Sequence, residues 1–402
     1  MCVLGCKVSY AESMNSQLFK RTRIIRGSSP WALFLCLLTL TLVVGTSTAT
    51  TTINSPDGDI IDCLEILAQQ SFNHPLLKDH NLQEIPRELP NTAQNEDGVS
   101  GWQIWNSHNR LKCPEGTIPI RRFVSRVNGT TNFEDIAQGH EYAIAELNIK
   151  PKIYGTKVTM SVEHPKVAQV DEFSLGQLWL VSGSFENGDI NTIETGWQVY
   201  PWLFLDHQPR FFIYWTNDAY TRGSCYNMRC PGFIQISGNV LLEGAIHRDT
   251  EFITIQIWKD PKLGHWWLSI GPNSVTILIP VGYWPSEIFT NSLADHAENV
   301  QWGGEIVNEN ISGLHTTTQM GSGYLPSSNR AAYMRDLEIM VNTSHFQPIT
   351  DLTTIETNSD YYKIKTTSDT SFTYGGPEHA GAVHRFGENS RVNSAYAGVV
   401  FG

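Results

Sequence analysis

EFITIQIWK (251–259) alternates along its length: Ile253, Ile255 and Ile257 fall on one side, and Thr254, Gln256 and Trp258 on the other. A period of two belongs to a pleated strand, whose successive side chains leave opposite faces, and not to a helix. The same alternation runs through GQLWLVSG (176–183) and KVTMSV (157–162). Turn clusters ENGD (186–189), SGN (237–239) and KDPKLG (259–264) separate runs of five to nine residues. The best helical candidate among them is the short SLADHAENV (292–300). Many short strands without βαβ alternation predict two packed antiparallel sheets, a mainly β fold with a β-sandwich of jelly-roll type. The concave face of such a sandwich can seat an extended peptide.

Upstream of about Gly139 the pattern changes. DCLEILAQQ (62–70) places Leu64, Ile66 and Leu67 on one side of a predicted helix, and Pro75, Pro86 and Pro90 punctuate the residues after it. PNTAQNEDGVSG (90–101) reads as a polar loop, and 123–137, beside the basic Arg121, Arg122 and Arg126, as an exposed linker. Exposed linkers are where proteases cut, so both a removable propeptide and a plain interdomain connection fit this segment. The chain thus divides into a leader (1–49), a small α+β domain (50–137) and the sandwich (138–402).

The formal charge is −12, and the stretch before residue 50 holds five basic residues and one acidic one, leaving 23 basic against 39 acidic in the remainder. So acidic a surface repels nucleic acid, and none is expected as a partner. WALFLCLLTLTLVVG (31–45) follows the cluster Arg21, Arg23 and Arg26, and its 15 apolar residues suit a signal-peptide core better than a bilayer span. Ser47 and Ala49 are small residues placed for cleavage after Ala49. The long stretch before this core fits an initiator at Met14 or an uncleaved signal anchor. Secretion into an oxidising compartment would leave Cys63, Cys113, Cys225 and Cys230 to pair, once Cys2, Cys6 and Cys36 are set aside with the leader. Four cysteines allow three pairings; the short gap between Cys225 and Cys230 suits a local staple, which pairs Cys63 with Cys113. No histidine pair stands at ligand spacing near them, so neither zinc nor any other metal or cofactor is expected. Sequons at Asn128, Asn310 and Asn342 fit a glycosylated surface.

Two glutamates stand in similar surroundings: Glu194 in NTIETGWQVYP (191–201) and Glu305 in VQWGGEIVN (300–308). Each lies near a tryptophan and glycine in a strand-like segment. Partly desolvated carboxylates brought face to face cannot both ionise cheaply, so one keeps its proton. Such a pair holds one acid and one base, enough to activate water and protonate a leaving group. In TIETGWQV, Glu194 and Gly196 share one strand face while Thr195 and Trp197 take the other, and the paired Gly303 and Gly304 predict a bulge or a close backbone approach.

A wider pattern accompanies them. IIDCLEILAQQSFNHPLLKDHNLQ (60–83), CPEGTIPIRR (113–122), GHEYAIAEL (139–147), ETGWQVYP (194–201), RFFIYWTNDAY (210–220), SCYNMRCPGFIQ (224–235), IWKDPKLGHWWL (257–268), VGYWP (281–285), LADHAENVQWGGEI (293–306) and TTQMGSG (317–323) occur in the order found in the plant neprosin family, which the chain resembles. The resemblance implies a secreted glutamic peptidase made as a zymogen with an N-terminal activation domain, cleaving after proline. It makes Glu194 and Glu305 the catalytic pair, and it supports Cys63–Cys113 and Cys225–Cys230. Trp197, Tyr214, Trp215, Gln319 and Ser322 are the expected substrate-binding residues, the rings because proline packs well on aromatic faces and Gln319 as a polar donor. Taken singly, each ring fits sandwich core better than a substrate wall. Trp266, Trp267, Tyr283 and Trp284 carry the same ambiguity. His265 and His296 lack any serine, cysteine or metal-motif companion and read as structural. The partner implied is a proline-containing peptide or protein, with no membrane after signal cleavage, acted on by a monomer in the apoplast, extracellular space or vacuole. The tail SFTYGGPEHAGAVHRFGENSRVNSAYAGVVFG (371–402) departs from the family in lacking cysteine. Paired glutamates and abundant tryptophan also equip a glycoside hydrolase, and the same sandwich without turnover would be a carbohydrate-binding wall protein.

Overall fold

The computed structural model describes residues 51–84, 101–107, 111–123, 139–221, 224–272, 278–309, 315–342 and 345–377. The leader, all of the 123–137 linker after residue 123, Asn128, Asn310 and the tail beyond 377 lie outside them. The N-terminal part forms a three-stranded sheet of β1 (Thr51–Asn54), β2 (Ile60–Glu65) and β3 (Thr117–Arg121), in the order β1-β2-β3. Leu64 therefore lies in a strand, and Ile66 begins only a 3-10 turn, Ile66–Ala68, in place of the predicted helix. Ile61 and Cys63 are fully buried at a spacing of two, and β2 is paired on both edges. Two ladders and an inward disulfide outweigh the local apolar spacing.

Among the described residues sixteen strands come after it in chain order: β4 (His140–Leu147), β5 (Gly155–Ser161), β6 (Ser174–Ser182), β7 (Asn191–Val199), β8 (Arg210–Thr216), β9 (Cys225–Tyr226), β10 (Ile234–Gln235), β11 (Phe252–Lys259), β12 (Trp266–Pro272), β13 (Ile279–Trp284), β14 (Asn299–Val307), β15 (Ala332–Met340), β16 (Gln347–Pro348), β17 (Leu352–Glu356), β18 (Lys363–Ser368) and β19 (Ser371–Gly375). They build a seven-stranded sheet, β17-β4-β14-β6-β7-β8-β9, and a nine-stranded sheet, β10-β13-β12-β11-β5-β15-β19-β18 with β16 beside β15. All pairings are antiparallel. SLADHAENV contributes only the 3-10 turn Ser292–Ala294 before β14 begins.

The sheets meet face to face. Trp197 Nε1 on β7 donates to the Ser161 carbonyl on β5 at 2.8 Å, and Trp302 Nε1 on β14 donates to Thr156 Oγ1 at 3.2 Å. Ile253, Ile255 and Ile257 of β11 fill the same core, as their alternation predicts. Burying so many large side chains is the main driving force for this arrangement, at about 25 cal/mol per Å² of apolar surface.

Polar clasps join the N-terminal sheet region to the sandwich. Gln69 exchanges two hydrogen bonds with the backbone of Gln235, at 3.0 and 2.9 Å. The fully buried Arg210 reaches Asp59 at 2.6 Å and also pairs with Asp206, while Arg121 binds Asp59 at 2.7 Å and Glu243 at 3.5 Å. The disulfides are Cys63–Cys113 and Cys225–Cys230, the pairing expected from the sequence. Among the described residues no helix is long and apolar enough to cross a membrane.

Candidate active site

Three adjacent strands, β7, β6 and β14, build the site. On the central strand Leu175, Gln177 and Trp179 share one face by the period of two. Glu194 pairs in register with Trp179, and Glu305 with Leu175. The two glutamates therefore flank β6 diagonally on one sheet face, with Gln177 between them. Gln177 Nε2 lies 3.3 Å from Glu194 Oε2 and 3.3 Å from Glu305 Oε2. These oxygens can be no farther apart than the two hydrogen bonds laid end to end, so residues remote in sequence meet within the reach of one bridging group.

Glycines permit the approach. Gly196 and Gly303 both pair with Gln177. A Cβ on Gly196 would stand 2.0 Å from the Gly176 carbonyl oxygen, and one on Gly303 2.4 Å from that of Ala143. On the opposite face a Cβ on Gly304 would stand 2.5 Å from the Tyr374 ring, which belongs to the facing sheet. The pairing of β14 runs through Gly303 and Gly304 without a register shift. Of the two predicted uses of this glycine pair, close approach is the one realised.

Each carboxylate has its own partners. Glu194 Oε1 accepts from Thr192 Oγ1 at 2.7 Å and from Tyr220 OH at 2.8 Å. Glu305 Oε1 meets His140 Nδ1, and Tyr142 OH lies 3.5 Å from that same nitrogen. Glu194 is 6% exposed and Glu305 5%, so both sit in a nearly dry setting. Burial raises the pKa of Glu194 to about 7; the charge of Glu305 adds to the rise, and hydrogen bonds from Thr192, Tyr220 and Gln177 oppose it. Burial, with the glutamate charges adding to it, holds the Tyr142 and Tyr220 phenols well above their ordinary value. They remain hydrogen-bond donors across the working range of a carboxyl group. Tyr214 stacks on Tyr220 at 6.0 Å and meets Tyr226 at 4.4 Å, forming an aromatic wall beside Glu194. Two acceptors on this face, Gln177 Oε1 and Gln198 Oε1, are buried without a hydrogen-bond partner among the described residues.

The expected substrate-binding residues divide. Tyr214 pairs in register with Glu194 and lies on its face. Trp197 and Trp215 have the opposite parity, and both rings belong to the inter-sheet core. They line no surface with the glutamates. Gln319 Oε1 accepts from the Lys166 backbone N–H at 3.0 Å, and Ser322 Oγ from that of Tyr324 at 3.3 Å, so these contacts serve loop structure. Asn342 is exposed just after β15. His296 pairs with Asp295 at 2.9 Å. His265 joins His80 and Glu287 in a group whose ligand atoms lie within 4.8 Å of one another, the only metal-capable trio found among the described residues. Its rings already have partners: His265 Nδ1 accepts from the Ser286 N–H at 3.2 Å, and His80 Nε2 meets Tyr283 OH at 2.9 Å. Burial lowers the pKa of His265 to about 4.

Sequence reasoning missed Gln177, His140, Thr192 and Tyr220. Parity was the available signal for two of them. Counting by two from Glu194 reaches Thr192, and counting by two along GQLWLVSG sets Gln177 opposite Leu178, whose face is core.

A family model described as Neprosin matches residues 170–377, and one described as Neprosin activation peptide matches residues 52–146. Among solved structures, Scytalido-glutamic peptidase with a peptide-based transition state analogue is similar at 13% identity, covering 59% of this chain and 97% of that one with a TM-score of 0.33. SCP-B, a member of the Eqolisin family of peptidases in complex with the tripeptide Ala-Ile-His, matches at 10% identity over 59% of this chain and 97% of that one, with a TM-score of 0.32.

Proposed function

The chain belongs to the Neprosin family, and from that premise we propose that it is an acid-active glutamic endopeptidase, made as a zymogen, in which Glu194 and Glu305 hydrolyse a peptide bond through an activated water. The observation that carries this reading is the single Gln177 amide bridging both carboxylates on one face. Glu194, whose proton burial retains to about 7, is the acid; Glu305 is the base. Glu305 takes a proton from water as the water oxygen bonds to the scissile carbonyl carbon. Glu194 then gives its proton to the departing nitrogen as the C–N bond breaks. One proton has entered at Glu305 and one has left from Glu194, so its return between them resets the pair. No acyl-enzyme forms.

The walls of the site suit a peptide that carries a proline ring. Tyr214 and Tyr220 offer the flat apolar face that a proline ring would use, in place of Trp197 and Trp215. The activation-peptide match runs to residue 146, yet β4 is hydrogen-bonded between β14 and β17. Cleavage that spares the sheet therefore falls before His140, in the linker that begins after residue 123. A monomer on the secretory route, released to the apoplast or vacuole and glycosylated at accessible sequons, completes the proposal.

The test is substrate choice. Acid-treated protein at about pH 4, near the ordinary glutamate range, is given a proline-containing peptide and, separately, xylo- and gluco-oligosaccharides. Peptide cleavage after proline, lost in Glu194→Gln and Glu305→Gln, supports the proposal. Sugar cleavage, or turnover of neither, refutes it.

A further inference from the structure

His140 opens β4, two residues before Tyr142, and the two share a sheet face. In register Tyr142 pairs with Glu305 and His140 with Val307, so His140 leans diagonally onto the glutamate. Its ring is part-buried and held from two sides: the Phe173 edge at 5.7 Å and 75°, and the Tyr142 ring stacked at 6.2 Å and 24°. Nδ1 meets Glu305 Oε1, the oxygen that Gln177 does not use. Every carboxylate oxygen of the pair thus has a named protein partner, and the partners differ in kind. Glu194 Oε1 faces two neutral hydroxyls, whereas Glu305 Oε1 faces a group that can itself hold a positive charge.

Two chemically identical carboxyls acquire different roles only if their surroundings differ in charge or hydrogen bonding. The partners of Oε1 supply such a difference. A charge-assisted bond between an imidazolium and a carboxylate is about twice as strong as a neutral one, and it fixes the direction of the oxygen that remains for water.

We propose that His140 is a positioning residue for Glu305: it holds a proton at Nδ1 against Oε1, which keeps Glu305 the ionised member of the pair and aims Oε2 at the attacking water. The inference rests on the peptidase reading of the two glutamates. The titratable groups facing His140 are Glu305 on β14, Tyr142 on its own strand and, across Gln177, Glu194 on β7.

Two substitutions separate this role from simple packing. His140→Leu keeps bulk against Phe173 but removes the donor. His140→Asn returns an N–H near the place of Nδ1 without a titratable charge. With the processed enzyme and a proline-containing peptide, His140→Leu is expected to lower kcat roughly 100-fold with KM within threefold, and His140→Asn to recover about tenfold of that loss. In both variants the acid limb of the kcat/KM profile moves to higher pH. A profile that keeps its shape and only scales, or a loss confined to KM, overturns the proposal. Should neither variant fold, the ring ¹⁵N shifts of His140 in the unaltered protein decide: both nitrogens protonated within the active range supports it, and a neutral ring overturns it. Failure of the peptidase reading would look different, since the unaltered protein itself would then cleave no peptide.

Discussion

Glu194→Gln should flatten part of the pH dependence of stability. In the folded chain burial keeps the Glu194 proton to about 7, against an ordinary value of 4.5. Below 4.5 both folded and unfolded states hold the proton, and the group contributes nothing. As pH rises from 4.5 towards 7 the unfolded chain releases it while the folded chain retains it. The folded state then binds more protons, so stability falls with rising pH, and above 7 the full penalty is present. At 1.36 kcal/mol per pH unit the gap amounts to about 3 kcal/mol. Glutamine cannot ionise and lacks this term. It also sets an amide against Gln177 Nε2, but that fixed cost cancels when each protein is compared with itself at two pH values. Urea unfolding of the uncut, disulfide-intact chain at several pH values from about 5 to 8 should show a fall in ΔG smaller in the variant than in the parent by about 2–3 kcal/mol. In Tm the same difference is on the order of 5 °C. Parallel curves would mean that Glu194 is ionised in the folded state, and the acid role assigned to it would be refuted.

The same geometry carries three further expectations. Tyr220→Phe removes a hydrogen bond that opposes the rise at Glu194; the proton is then held more tightly, so the alkaline limb of the peptide-cleavage profile should move to higher pH, with kcat down about tenfold. Arg210→Met leaves Asp59 buried beside one cation fewer, and should destabilise the uncut chain by about 3–5 kcal/mol in denaturant titration while exposing the N-terminal sheet to added protease. Gly304→Ala drives a methyl group against Tyr374, and should lower stability by about 1–3 kcal/mol in calorimetry.

The sandwich was legible because its strands obey a period of two over many turns, and no local accident can hide that. The glutamate face was legible for the same reason: β7 continues without a bulge, so Glu194 and Trp197 separate as counted. Aromatic chemistry leaves Trp197 and Trp215 open to a substrate wall or to the core, and the parity of their strands decides it by sending both rings into the core. DCLEILAQQ misled because Leu64, Ile66 and Leu67 mimic a helical stripe, and the ladders that make it a strand come from β1 and from β3, more than fifty residues downstream of β2's start. Parity marks the face of Gln177 but not what it bridges, and it gives no signal for His140: Glu305 lies 128 and 165 residues from them in sequence, and only the strand order β4-β14-β6-β7 brings the three together.

In the proposed mechanism Glu194 and Glu305 act as one unit, and a double-mutant cycle on peptide hydrolysis measures that directly. Each single glutamine variant of the processed enzyme should lose at least about 10³-fold in kcat, and the double variant should be no slower than the worse single one, because a half-pair is already inactive. Losses that multiply, or a single variant within tenfold of the parent, would contradict it.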